Sequence, residues 1–342
     1  MNNSPLSKFN VIYKKTRIWI VLLIAALFPL CVSNKFILHL ACISMMYAML
    51  TISLNVLSGF TGLMSVGHIA FFGIGAYTTA VLTTKLNAPV LLGILAAGVV
   101  AALFSLLLGL PTMRLKGTYF TVATLAFGVI VYQLIKNLKS ITNGTAGILG
   151  IPGIEIFGIS FKAYDKYYYI CLVALALSVI IAMNLLNSRS GRAILAIRES
   201  DIAAEAMGIN VVNYKIVAFM VSAFIAGVAG ALYTHEMRYI SPDPFMQSES
   251  ATLLAMMVIG GIGSIPGAIV GGIVVNILPE VLRFIGDFRL ALYGAAVVAV
   301  IIFAPGGLGG LIERVDNYFC GKHKIIAQQQ ALLEKVDKKE GE

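Results

Sequence analysis

Residues 36–84 read FILHLACISMMYAMLTISLNVLSGFTGLMSVGHIAFFGIGAYTTAVLTT, 49 consecutive positions without Asp, Glu, Lys or Arg. A helix needs about 20 apolar residues to cross the hydrocarbon core of a bilayer, so this stretch holds two crossings. Ser58-Gly59-Phe60-Thr61-Gly62 is the break between them. Working outward, the remaining charge-free windows are 18–34, 86–113, 117–135, 167–188, 216–235, 250–279 and 290–312. They locate spans because an unpaired charge near the bilayer centre costs at least about 2.5 kcal/mol. The window 250–279 reads either as one long span or as a short Gly-interrupted crossing at about 250–263, followed by another from Pro266.

Composition agrees with this reading. The chain has 342 residues, of which 59% are hydrophobic and 12% charged, and its mean hydropathy is +0.90. Soluble domains carry roughly 25% charge, so an ordinary soluble protein is excluded. About 200 apolar residues at ~20 per crossing cap the count near ten. The N-terminal tail holds Lys8, Lys14, Lys15 and Arg17 and no acid, and the C-terminal tail holds Arg314, Lys322, Lys324, Lys335, Lys338 and Lys339. Both termini therefore read as cytoplasmic, which makes the count even.

The fold class expected is all-α: a polytopic membrane protein of about ten transmembrane helices. Its divisions are a cytoplasmic tail 1–17, a membrane domain 18–312 with a cytoplasmic loop 189–212, and a cytoplasmic tail 313–342. The run 18–34 could also be a signal sequence, but it lacks an A-x-A-like exit, so a retained anchor is simpler. Ten crossings put sixteen Lys and Arg inside and nine outside. The loop at about 136–166, with Lys136, Lys139, Lys162 and Lys166 outside, runs against that bias. The net charge of +9 follows from orientation alone, and no nucleic-acid partner is expected. Cys31, Cys42, Cys171 and Cys320 show no metal or redox spacing, and the first three read as packing residues.

Several chemistries are missing. Polar residues inside the windows are mainly His39, Asn55, Ser65, His68, Gln133, Asn184 and Asn276, while Glu236, Asp243, Glu280 and Asp287 fall at span ends or in loops. Ion-coupled carriers commonly place acidic or His relays within their spans, so a secondary carrier is the disfavoured rival. There is no G-x-x-x-x-G-K-[ST] loop, no G-x-S-x-G elbow, no H-E-x-x-H pair, and no close pairing of His with an acid inside a span. No catalytic or metal-binding residue is assigned. Any energy for pumping must come from a separate subunit.

Two segments carry positive information. Residues 190–210, SGRAILAIRESDIAAEAMGIN, are too charged to insert and too patterned for a linker. Ile194, Ile197, Ile202 and Met207 supply apolar contacts, Ser200 or Asp201 can cap a second short helix, and Gly208 can end it. Two short helices joined near Glu199-Ser200 make a knob on which Ala203 and Ala204 permit close approach of another protein, and Arg192, Arg198, Glu199 and Glu205 fix its register. Gly191 through Gly208 resembles G-R-A-x-x-A-I-R-E-x-x-x-A-A-E-A-x-G, the form found in permease subunits of branched-chain amino-acid ABC importers. Ile202 stands where the broader importer motif has an acid.

The second segment, Leu54 to Tyr77, is similar to the same family's L-N-x-x-x-G-x-x-G-x-x-S-x-G-H-x-A-F-x-G-I-G-A-Y. Its glycines Gly59, Gly62, Gly67, Gly73 and Gly75 let the backbone unwind or pack closely, and Ser65 with His68 brings polar groups to the start of the third span. Such a segment lines a substrate path or serves helix packing. Further likeness lies at Arg114 to Leu125, Gly260 to Ala268 and Ala304 to Leu308. The loop Thr142-Asn143-Gly144-Thr145 departs from the family's T-G-G pattern. Gly-rich breaks at 59–75 and 260–272 fall in opposite halves of the chain, a pointer to a site at their interface.

The resemblance implies an inner-membrane permease that moves branched-chain or other hydrophobic amino acids. Its partners would be a second homologous permease, two ATP-binding cassette ATPases that hold ATP and Mg, an extracytoplasmic substrate-binding protein and membrane lipid. It implies no cofactor in this chain. It assigns Asn55, Ser65, Gly67, His68, Tyr77, Thr121 and Thr124 to the substrate path, and Gly191, Arg192, Arg198, Glu199, Ala203, Ala204, Glu205 and Gly208 to ATPase coupling. Urea or a short amide is the nearest rival substrate.

Overall fold

The computed structural model describes residues 25–30, 32, 34–113, 117–156, 159–161, 163–283, 288, 292, 294–295, 298, 302 and 306–310. The tails 1–17 and 313–342, Arg114 to Lys116 and most of the windows 18–34 and 290–312 lie outside them. The main helices are α1 (Lys35–Leu54), α2 (Ile69–Thr84), α3 (Val90–Thr112), α4 (Thr118–Asn137) and α5 (Tyr164–Asn187). They continue with α6 (Arg189–Glu199), α7 (Asp201–Ala206), α8 (Val211–Met237), α9 (Gln247–Gly260) and α10 (Ile265–Val281). Among the described residues, five apolar helices are long enough to cross a bilayer: α1 with its π-helical extension to Gly59, α3, α4, α5 and α8. Each contains a charge-free stretch of one window, and four of them carry charges only towards their ends, such as Lys35, Lys136, Lys166 and Lys215, since the helix satisfies its own backbone and the apolar middle suits hydrocarbon.

Helix α8 is the central post, packed against α1, α2 and α3, while α5 and α10 lie against α1. Glycines set these contacts. A Cβ on Gly75 of α2 would collide with the backbone of Gly227 on α8, and one on Gly230 of α8 with the Phe72 carbonyl. Two helices thus touch main chain to main chain, the close approach that small residues permit. Aromatic rings fill the adjoining space, with Phe71 edge-on to Phe219 at 5.2 Å. On the periphery, Leu95, Leu107, Val122, Ile130, Val173 and Leu177 face outward, as lipid-facing positions do. Cys42 and Cys171 are buried free thiols, in keeping with packing roles.

Two elements differ from the sequence expectation. The chain does not break at Ser58 to Gly62: Asn55–Gly59 continue α1 as a π-helical turn, and the non-helical stretch comes later, at residues 62–68. The window 250–279 resolves into the two-helix alternative, but α9 has 14 residues, about 21 Å of helix, too short to span the layer alone.

The described residues of the segment 138–163 form a folded cap rather than a plain loop. Ile148 and Leu149 pair antiparallel with Ile240 and Tyr239, and Lys85 Nζ donates to the Ser140 carbonyl at 2.7 Å. His235 bonds Thr79 Oγ1 at 2.9 Å and the Pro152 carbonyl at 2.8 Å, tying the cap to α2 and α8. At the same end His39 Nδ1 meets Glu236 Oε1 at 2.9 Å. This close His–acid pair was invisible in sequence because its members are 197 positions apart.

Candidate functional site

The knob forms at the opposite end of the bundle. Ser188 caps α6 by accepting from Gly191 N, and Ser200, not Asp201, caps α7 by accepting from Ala203 N at 3.2 Å. Gly191 is required where α6 turns off α5, since a Cβ there would collide with the carbonyls of Leu185 and Leu186. Gly208, at φ +80°, closes α7: its N–H donates to the Glu205 carbonyl and that of Ile209 to the Ala204 carbonyl, a C-cap that glycine adopts without strain.

Lys215, with a side chain 5% exposed, pairs with Asp201 Oδ2 at 2.6 Å and roots the knob on α8. Losing the carboxylate, itself 44% exposed, would leave the buried Lys215 ammonium without its partner.

The four apolar contacts read from the knob's sequence divide. Ile194 and Ile197 are buried, whereas Ile202 and Met207 are 74% and 82% exposed. Ala204 faces the bundle and Ala203 faces out, so only one of the two alanines is open to a partner. Arg192, Glu199 and Glu205 are exposed, and among the described residues their side chains make no ion pair.

Arg198 is exposed as well, but its side chain lies along the bundle. A Cβ on Gly263 would lie 2.8 Å from its Nη1, and one on Gly62 would lie 3.7 Å from its Cγ. Its side chain therefore runs from the knob along the end of the α1 extension to the turn between α9 and α10. There the two glycine-rich breaks meet. Asn55 Oδ1 accepts from Gly263 N at 2.8 Å, and Asn55 Nδ2 donates to the Ser264 carbonyl at 2.9 Å. Gly59 leaves room for this, since a Cβ at that position would collide with Asn55 Oδ1. Gly261 and Gly263 hold φ of 112° and 82°, a turn closed to most side chains.

From this junction residues 62–68 climb into the bundle as non-helical chain, which is tolerated at membrane depth only when its backbone groups find partners or line a cavity. Hydroxyls and an amide supply them. Ser65 N donates to Ser58 Oγ at 3.2 Å, Val66 N to Thr124 Oγ1 at 3.2 Å, and Thr121 Oγ1 donates to the Met64 carbonyl at 3.0 Å. Gln247 Nε2, in the first turn of α9, donates to the Val66 carbonyl at 2.7 Å. Gly67 lies against the α4 backbone at Thr124.

His68 ends the segment, its Nε2 2.8 Å from Ser53 Oγ and 3.4 Å from Ser222 Oγ. Ser222 is eleven residues into α8, about 16 Å from the knob end, so α2 starts near mid-depth. Ser65 and His68 do not bond each other. Ser65 Oγ, His68 Nδ1, Tyr77 Oη, Gln247 Oε1 and Ser250 Oγ are buried without a hydrogen-bond partner, and all five lie on the two segments that enter the layer part-way.

The sequence-assigned residues thus form two groups. Asn55 belongs to the junction of the breaks, with Arg198 against it. Ser65, Gly67, His68, Thr121 and Thr124 gather along the climbing segment, and Tyr77 stands further up α2. Gln247 and Ser250 were missed; the only signal was the row of hydroxyls and amides in Gln247-Ser248-Glu249-Ser250.

A helical bundle with interrupted spans, a buried polar segment and an external knob defines a polytopic membrane permease. The model of the family described as branched-chain amino acid transport system / permease component matches residues 36–305, and the chain belongs to that family. It is 33% identical over 322 residues to the high-affinity branched-chain amino acid transport system permease protein LivM of Salmonella typhimurium, covering 87% of this chain and 76% of the relative. The LivM protein of Escherichia coli K12 is 34% identical over 311 residues, 84% and 73% of the two chains. The LivH permease of the same organism is 26% identical over 292 residues, 78% and 92% of the two chains. No solved structure matches the chain.

Proposed function

We propose that this chain is the membrane conduit of an ATP-driven importer that carries branched-chain and other hydrophobic amino acids across a bacterial inner membrane. It has ten crossings, with both termini and the knob on the cytoplasmic side. It works beside a second permease; likeness to both LivM and LivH supports that pairing. Two ATPase subunits hold ATP and Mg, and an extracytoplasmic protein delivers the substrate. The knob takes up the motion of the ATPases, and the junction of the two breaks passes it to the climbing segment with Ser65, His68, Thr121 and Thr124, which borders the substrate path.

The observation that carries this reading is Arg198, whose side chain leaves the knob and lies against Gly62 and Gly263. Motion of the knob is thereby coupled to the place where two spans lack helical stiffness. Exposed Ile202 and Met207 supply the apolar part of the docking face, each worth about 1.5–3 kcal/mol when covered.

Replacing both residues, Ile202→Glu with Met207→Glu, should leave folding unchanged, because exposed positions away from special features shift stability by only about 0.5 kcal/mol. ATPase recovered with the tagged permease should fall at least tenfold. Undiminished copurification would remove these two residues from the docking face.

A further inference from the structure

We propose that Glu249 receives the ammonium group of the transported amino acid part-way through the membrane, an inference that rests on the importer reading above. Glu249 lies in the first turn of α9, and that turn is deep. Gln247 bonds the Val66 carbonyl, and its Oε1 lies against Gly128, ten residues into α4 and so about 15 Å from the knob end. The carboxylate is half-buried, and among the described residues its side chain makes no hydrogen bond or ion pair. Among the described residues the other buried charges have partners: Glu236 has His39 and Lys215 has Asp201. An unpaired charge at this depth is costly and marks a functional position by default.

Its surroundings select the ligand. Glu249 stands two turns before Met256 on the same face of α9, and Met256 Sδ lies 3.7 Å from Thr51 Oγ1 on α1, so Glu249 is within about one turn of Tyr47 along the α1 contact. The rings of Tyr47 and Tyr233 flank Phe72 at 6.3 and 5.4 Å, and Phe245 lies 5.7 Å from Phe72. A carboxylate beside tyrosine rings suits a primary ammonium, through a charge-assisted hydrogen bond and cation–π attraction. The same rings offer apolar surface to a hydrophobic side chain. A metal ion fits poorly, since no group of three His, Cys, Asp or Glu gathers among the described residues. In the same turn Ser250 Oγ and Gln247 Oε1 are buried without partners, which leaves polar capacity beside the acid.

The test is leucine uptake per ATP hydrolysed in the complete reconstituted complex, for wild type, Glu249→Gln and Glu249→Asp. Gln keeps the shape and removes the charge, and Asp keeps the charge. The expected result is a loss of at least tenfold in leucine moved per ATP for Glu249→Gln, with binding-protein-stimulated hydrolysis retained, and substantial recovery for Glu249→Asp. Wild-type stoichiometry in Glu249→Gln overturns the assignment, and so does equal loss in both variants, which would mark a role in packing. A wild-type complex that hydrolyses ATP but moves no amino acid would instead sink the importer reading, and the assignment with it.

Discussion

Asn55→Leu should abolish transport while the protein still inserts. The substitution removes the acceptor for Gly263 N–H and the donor to the Ser264 carbonyl, bonds of 2.8 and 2.9 Å. Each stranded group costs about 1–3 kcal/mol, so the junction loses on the order of 2–6 kcal/mol of holding energy. That is enough to let the α9–α10 turn separate from the α1 extension, leaving Arg198 without a fixed seat. Leucine uptake by the reconstituted complex should drop at least tenfold, with ATP turnover continuing uncoupled. Uptake at the wild-type rate would show that the two breaks need not be tied together.

Gly75→Leu should have the largest effect on folding. Its Cβ would occupy the space of the Gly227 backbone, and both partners are main-chain atoms within helices α2 and α8, so no side chain can yield. Overpacking of this kind costs about 1–3 kcal/mol and occasionally more. Because α8 is the post on which α1, α2 and α3 lean, the loss spreads to every neighbour. We expect a several-fold fall in monodisperse protein recovered in detergent and a clear drop in Tm, whereas Gly310→Ala, at a position with open space around it, should behave as wild type. A Gly75→Leu protein with unchanged Tm would mean that the helices are not in backbone contact.

What the sequence revealed and what it hid have physical causes. The long apolar windows were legible because hydrocarbon forbids charge over a fixed length, and the knob because its capping serines and its glycines must stand at set positions. Half-spans were not legible: a charge-free count treats Glu249 as the edge of a window, when it sits in the first turn of a helix that begins at depth. The tie between Asn55 and Gly263 joins residues 208 positions apart, beyond any local pattern, although two glycine-rich breaks in opposite halves pointed to such a meeting. By spacing, Ile202 and Met207 stand with Ile194 and Ile197 as apolar contacts of the knob. They face outward because Ser200 restarts the helix, so the apolar stripe of α6 does not continue into α7.

In the proposed function this chain is a passive conduit, moved only by force delivered to its knob. The most direct measurement is radiolabelled leucine uptake into proteoliposomes, comparing the chain alone under imposed proton or sodium gradients with the complete complex supplied with ATP at the knob side. Uptake in the complete complex alone, and only with ATP, is the predicted result. Concentrative uptake by the chain alone under either gradient would contradict it.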